Sequence, residues 1–145
     1  VVTFCGHRAV EEVETVRSWL REHLERLVAD GADTFYLGGY GAFDRLAASV
    51  VWSLKIPYPH IRSILVLPYL GGKMPCGQYD STVFPPLETV PKRFAIVHRN
   101  RWMIQQSDAV LAYVLYGWGG AAATLAYAEG KGKKIIRFSP QNRMP

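Results

Sequence analysis

Apolar positions along this 145-residue chain follow two rhythms that take turns. Short β-branched and aromatic runs, Val1–Cys5, Thr34–Leu37, "SILVL" at 63–67, "AVLAYVL" at 109–115 and "KKIIRF" at 133–138, read as strands. Between them lie stretches with helical spacing. Val13, Val16, Leu20, Leu24 and Leu27 recur every three or four residues, which predicts an amphipathic helix over about 10–29. Glu11, Glu12 and Glu14 fall in its expected first turn, where the helix dipole favours carboxylates, and Gly31 closes it. Further helices are expected over 43–54, 92–106 and 121–129, the third of these with Pro91 at its front. Residues 68–91 break the rhythm with a long Gly/Pro-rich segment, by its length either functional or disordered, in which Tyr79 and Asp80 belong first to a packed surface loop and otherwise to a possible lid.

Strands alternating with helices predict one α/β domain over 1–145. It should be a Rossmann-like three-layer sandwich whose mostly parallel sheet of five or slightly more strands carries helices on both faces. Right-handed crossovers then gather the loops that follow the strands along one edge, where such folds bind ligands. Three of these loops are glycine-rich: "GHR" at 6–8, "GGYGAFD" at 38–44 and "GWGG" at 117–120.

Composition narrows the classes. About half the residues are apolar and 20% are charged, an ordinary globular balance, and the apolar runs are far shorter than a membrane span. No membrane partner is therefore expected. Two cysteines, Cys5 and Cys76, make no disulfide framework, so a reduced, cytoplasmic protein is expected. Cys5 and His7 with Cys76 lack a paired ligand motif, and no metal site is expected. The net charge of +5 favours anionic partners, from nucleotides to nucleic acid. Lys131, Lys133, Lys134 and Arg137 cluster but read as solvated surface.

Glycine after a strand lets backbone N–H groups approach a ligand, and a following helix N-terminus adds partial positive charge, a combination suited to phosphate. Gly38 and Gly39, and again Gly119 and Gly120, occupy such junctions, either as phosphate cradles or as plain tight turns. Neither standard phosphate motif is present. "GYGAFD" lacks the third glycine of the dinucleotide fingerprint, and "GGK" at 71–73 lacks the spacing and Ser/Thr of a P-loop. Arg8 beside Gly6 is assigned to an anion contact, while His7 fits a backbone hydrogen bond or a ligand contact equally well. Asp44 suits either the dipole of its own helix or a ribose hydroxyl, and Thr124 completes the candidate binding set. Trp102 and Trp118 flank candidate loops as filler or as stacking platforms.

Five segments in order, "TFCGHR", "GGYGAFDRLAA", "RNRWMIQQSDAVLAYV", "GGAAATLAYA" and "GKKIIRF", resemble the SLOG superfamily. That superfamily contains the lonely-guy phosphoribohydrolases and the Rossmann-like domain of DNA-processing protein A, and the nearest likeness is to small stand-alone bacterial members. The resemblance spans roughly residues 1–138 and implies a Rossmann-like fold that binds nucleotides or their derivatives. Arg99, Met103 and Asp108 reproduce a lonely-guy spacing, implying that Arg99 engages the nucleotide. The lonely-guy motif P-G-G-x-G-T-x-x-E is altered here: Trp118, Ala122, Ala123 and Ala126 stand for its proline, second-block glycine, threonine and glutamate. Alanine transfers no proton, which leaves Glu129, three residues on, or an acid from the long loop as the weak catalytic candidate.

The leading expectation is a binding or sensing module for a phosphoribosyl-type nucleotide derivative, with no cofactor required. The alternatives are an N-glycosidase acting on nucleoside monophosphates and a nucleic-acid-binding domain. Aromatic side chains in excess of one small core, and Ala121–Ala123 in a helix, suit assembly into a homodimer or higher oligomer.

Overall fold

The central strand of the molecule is the one that opens the chain. In the computed structural model, which describes residues 1–70 and 78–140, β1 (Val2–Gly6) lies between β2 (Thr34–Leu37) and β5 (Ala109–Tyr113). Beyond β2 come β3 (Arg62–Val66) and β4 (Ser81–Val83), and beyond β5 comes β6 (Lys134–Arg137). All five pairings are parallel, in the order β4-β3-β2-β1-β5-β6. A parallel pair needs a crossover: α1 (Val13–Ala29) joins β1 to β2, α2 (Ala42–Leu54) joins β2 to β3 and α4 (Gly119–Gly130) joins β5 to β6, while α3 (Ala95–Gln106) carries the chain from β4 back to β5.

Side-chain alternation along the strands separates the core into two layers. Val2 and Phe4 of β1 and Leu111 and Tyr113 of β5 pack with α1 and α2, through Leu20, Leu24, Phe43 and Val51. Cys5, Val110 and Ala112 point the other way, onto Ile104 of α3 and Leu125 and Ala128 of α4. β5 is buried along its whole length, as expected for a strand covered on both faces.

Two boundaries depart from expectation. α1 starts at Val13, not Val10, because Glu12 adopts a left-handed backbone (φ 53°) and ends the preceding loop. Glu11 and Glu12 therefore precede the helix, and Glu14 is the acid of its first turn. The Gly/Pro-rich segment contains a strand, β4, which adds an edge to β3 and makes the sheet six-stranded. Tyr79 and Asp80 take the packed alternative and belong to the frame. Tyr79 packs on the main core, while the Asp80 carboxylate accepts the Ser63 N–H at 2.8 Å and pairs with Lys55 at 2.9 Å. Gly71, Gly72, Lys73 and Cys76 lie outside the described residues. No helix among the described residues is long and apolar enough to cross a membrane.

Sheet growth reverses at β1. The chain builds outward through β2, β3 and β4, returns through α3 to β5 on the other side, and ends at β6. The loops leaving β1 and β5 thus diverge, and a crevice opens at their C-terminal ends.

Candidate functional site

That crevice is a cleft of about 730 Å³. Gly6 at the end of β1 with residues 7–9 after it, Tyr40 and Gly41 after β2, and Tyr116 and Trp118 after β5 form its rim. The first turn of α4 and residues Ile96, Arg99 and Asn100 of α3 complete it.

Packing dictates the start of the rim. A Cβ on Gly6 would overlap the ring of Phe43, so glycine here serves the close approach of α2 to β1. The Arg8 carbonyl accepts the Ala42 N–H at 2.8 Å, and Gly41 (φ 90°) lies so close that a Cβ would stand 3.2 Å from Arg8 Cα. The first two loops are therefore fastened together at the backbone. The Arg8 side chain itself is exposed and makes no hydrogen bond or ion pair among the described residues.

The glycine turn after β2 is occupied by the chain itself. Backbone N–H groups of Gly38, Gly39 and Tyr40 donate to the Asp44 carboxylate. Burial of that carboxyl pushes it up to about 6, against the opposing pull of Arg99 and the three N–H donors. Arg99 is 2% exposed and spends its guanidinium on the chain: Nη1 donates to the Gly38 and Val66 carbonyls, both at 2.9 Å, and Nε donates to Asn100 Oδ1 at 2.8 Å. One expectation needs correction here. Gly38 and Gly39 do not hold phosphate, since their N–H groups already serve Asp44, and they stand behind the cleft lining. Asp44 serves its own turn first: the N–H groups of Gly38, Gly39 and Tyr40 take three of its acceptor positions, with the Arg99 charge nearby.

The opposite rim is open. α4 begins at Gly119 (φ 91°) after Trp118, with no side chain capping its first N–H groups. Gly119, Gly120 and Ala121 line the cleft, and a Cβ on Gly120 would meet nothing within 4 Å. Uncapped N–H groups and the helix dipole make this turn attractive to an anion. Thr124 lines the same wall, but its hydroxyl proton is given to the Gly120 carbonyl at 2.9 Å, so toward a ligand it can only accept.

His7 resolves into a backbone anchor. Its Nε2 accepts the Leu115 N–H at 2.8 Å, which fixes the neutral tautomer, and burial lowers its pKa. Tyr116 stacks on the imidazole (3.9 Å between centroids, 8° between planes), and Trp118 stacks on Tyr116 (4.0 Å, 28°). Tyr116 escaped the sequence reading; its only signal was aromatic spacing in "YGW" beside the glycines. Trp102 instead packs on Tyr36, outside the cleft.

Gly6, His7, Arg8, Asp44, Arg99, Gly119, Gly120 and Thr124 thus converge on one cleft. Glu129 does not. It is exposed at the far end of α4, about 15 Å along the axis from the first turn. Cys5 is buried, its thiol pushed up to about 12, which makes it inert as a nucleophile or ligand. Among the described residues no group of three His, Cys, Asp or Glu is placed to hold a metal ion.

No family model matches the chain. Over 114 residues it is 26% identical to UPF0398 proteins of Bacillus thuringiensis (strain Al Hakam) and Bacillus cereus (strain AH187), and 25% identical to that of Bacillus cereus (strain AH820). The alignments take in 69% of this chain and 61% of the relatives, so the chain matches about three fifths of their length. The homology is distant. The X-ray structure of TM1055, a structural genomics target, superposes with a TM-score of 0.60 at 18% identity, covering 93% of this chain and 71% of that one. It is a neighbour of similar fold.

Proposed function

We propose that this chain binds a phosphorylated, nucleotide-type small molecule, with its anionic group between Arg8 and the first turn of α4. The observation that carries the reading is one coincidence. An exposed guanidinium without a partner among the described residues shares a cleft at the sheet's reversal point with an uncapped helix N-terminus. The SLOG-like segments support the same ligand class, with one change of role: Arg99 braces the site from behind, and Arg8 supplies the cation.

Binding or sensing is favoured over hydrolysis. Asp44 is the one carboxylate lining the cleft among the described residues, and three N–H groups of its own turn already hold it. Ala126 cannot supply an acid, and Glu129 is remote.

A thermal-shift series with nucleoside monophosphates and ribose 5-phosphate tests the reading. Binding at a hundred times Kd stabilises the fold by about 2.7 kcal/mol, a shift of several degrees for a domain of this size. Arg8→Ala should weaken the effective ligand about tenfold to a hundredfold, the loss of one charge-assisted hydrogen bond. No free base should appear on incubation. A flat response to every phosphorylated compound, or a shift untouched by Arg8→Ala, rejects the proposal.

A further inference from the structure

We infer that the cleft seats an aromatic ring on the outer face of Trp118, so that its ligand carries a nucleobase and is not a bare sugar phosphate. The inference rests on the anion reading above and adds a second, apolar subsite to it. Three rings build the platform. His7 is pinned by the Leu115 N–H at 2.8 Å and stands edge-on to Tyr113, with 5.8 Å between centroids. Tyr116 lies nearly parallel on His7, and Trp118 lies on Tyr116. The pile has a fixed bottom and a free top.

Trp118 is 70% exposed, and Tyr116 is its only ring partner among the described residues. Leaving so large an apolar ring in water is costly, and a stack that merely filled space would end with a covered ring. Here the uncovered ring lines the cleft next to the glycines whose N–H groups open α4. Anion site and ring platform are adjacent along the chain, which matches a ligand joining a phosphate to a flat heterocycle through one sugar. Ordering of the platform before the ligand arrives removes part of the entropy cost of stacking. Stacking uses a π-face that every base has, so discrimination among bases should be weak, with the larger purines favoured by contact area.

The test titrates the full chain with AMP, ribose 5-phosphate and adenosine, read by calorimetry and by tryptophan fluorescence, for the parent, Trp118→Ala and Trp118→Phe. Trp118 is exposed, so neither substitution should shift the melting temperature appreciably. AMP should bind about 5- to 150-fold more tightly than ribose 5-phosphate and quench fluorescence. Trp118→Ala should erase that advantage while leaving ribose 5-phosphate binding unchanged, and Trp118→Phe should retain most of it. Equal affinity for AMP and ribose 5-phosphate in parent and variants overturns the ring subsite and leaves the anion site standing. Adenosine binding that depends on Trp118 and gains nothing from a phosphate keeps the ring subsite and removes the anion reading. If none of the three probes binds, both are overturned.

Discussion

Two glycine turns follow two strands in this molecule, and they face opposite fates. At Gly38–Gly41 the backbone N–H groups turn inward onto Asp44, which lies beside a buried arginine. At Gly119–Gly120 they open a helix that has no cap, beside an exposed arginine. The local chemistry of the two turns is nearly the same. What differs is whether the chain supplies its own anion within the next turn: Asp44 does so for the first, whereas Ala122, Ala123 and Thr124 follow the second. A cradle of N–H groups attracts whatever negative charge is nearest, and on the reading proposed above the second turn, for which the sequence supplies none, is the one that serves a ligand.

The comparison can be broken most forcefully at Asp44. Asp44→Ala removes the acceptor for three N–H groups and the counter-charge of Arg99 and should cost about 3–5 kcal/mol in urea unfolding. A cost below about 1 kcal/mol would mean that the turn does not depend on its internal anion. Asp44→Asn, which keeps an acceptor oxygen, should cost less.

Titration of the same group gives the next effect. The folded-state value near 6 lies above the ordinary 3.8, so the folded form binds the proton more tightly than the unfolded one. The resulting stabilisation is complete below about pH 4 and is lost as pH rises through about 6. A gap of roughly two units corresponds to about 3 kcal/mol at most. Unfolding free energies of parent and Asp44→Asn should therefore diverge between pH 4 and 6, the parent falling relative to the variant as pH rises. Parallel curves would contradict the enclosed carboxyl.

One substitution made in both turns sharpens the contrast. Gly38→Ala would place a Cβ 2.8 Å from Asp44 Oδ2 and 3.1 Å from Arg99 Cζ, and should destabilise by about 1–3 kcal/mol. Gly120→Ala meets nothing within 4 Å and should change stability by no more than about 0.5 kcal/mol. It should nonetheless weaken phosphate-ligand binding, because the new methyl occupies cleft space; calorimetry on both variants separates the two turns.

How much of this was legible depended on range. Strands with four or five apolar or β-branched residues announced themselves, as did the apolar stripe of α1. β4 did not, since three residues between prolines carry no period. The start of α1 was blurred because Glu11 and Glu12 look like first-turn acids until the left-handed backbone at Glu12 is seen. At the site, the positions of Arg8, Gly119 and Gly120 on the cleft could be picked out because each directly follows or closely trails a strand end. The direction of Asp44 could not, since a first-turn acid ordinarily faces the dipole of its own helix, and here it also feels the charge of Arg99, 55 positions away. Spacing to Met103 and Asp108 singled out Arg99 but said nothing of its depth. The ring pile joins His7 to Tyr116 across more than a hundred residues, beyond any local pattern.

Arg99 also acts as a stitch. By donating to the carbonyls of Gly38 and Val66, it continues the rungs of the sheet past the last paired residues of β2 and β3. The Gly38 N–H, given to Asp44, and the Leu67 N–H, given to the Val83 carbonyl at 2.8 Å, lie in the backbone so clamped and should exchange slowly whether or not anything is bound. The first amides of α4, which have no such tether, should exchange within the dead time of the experiment until a ligand shelters them, leaving one bank of the cleft stationary while the other records occupancy.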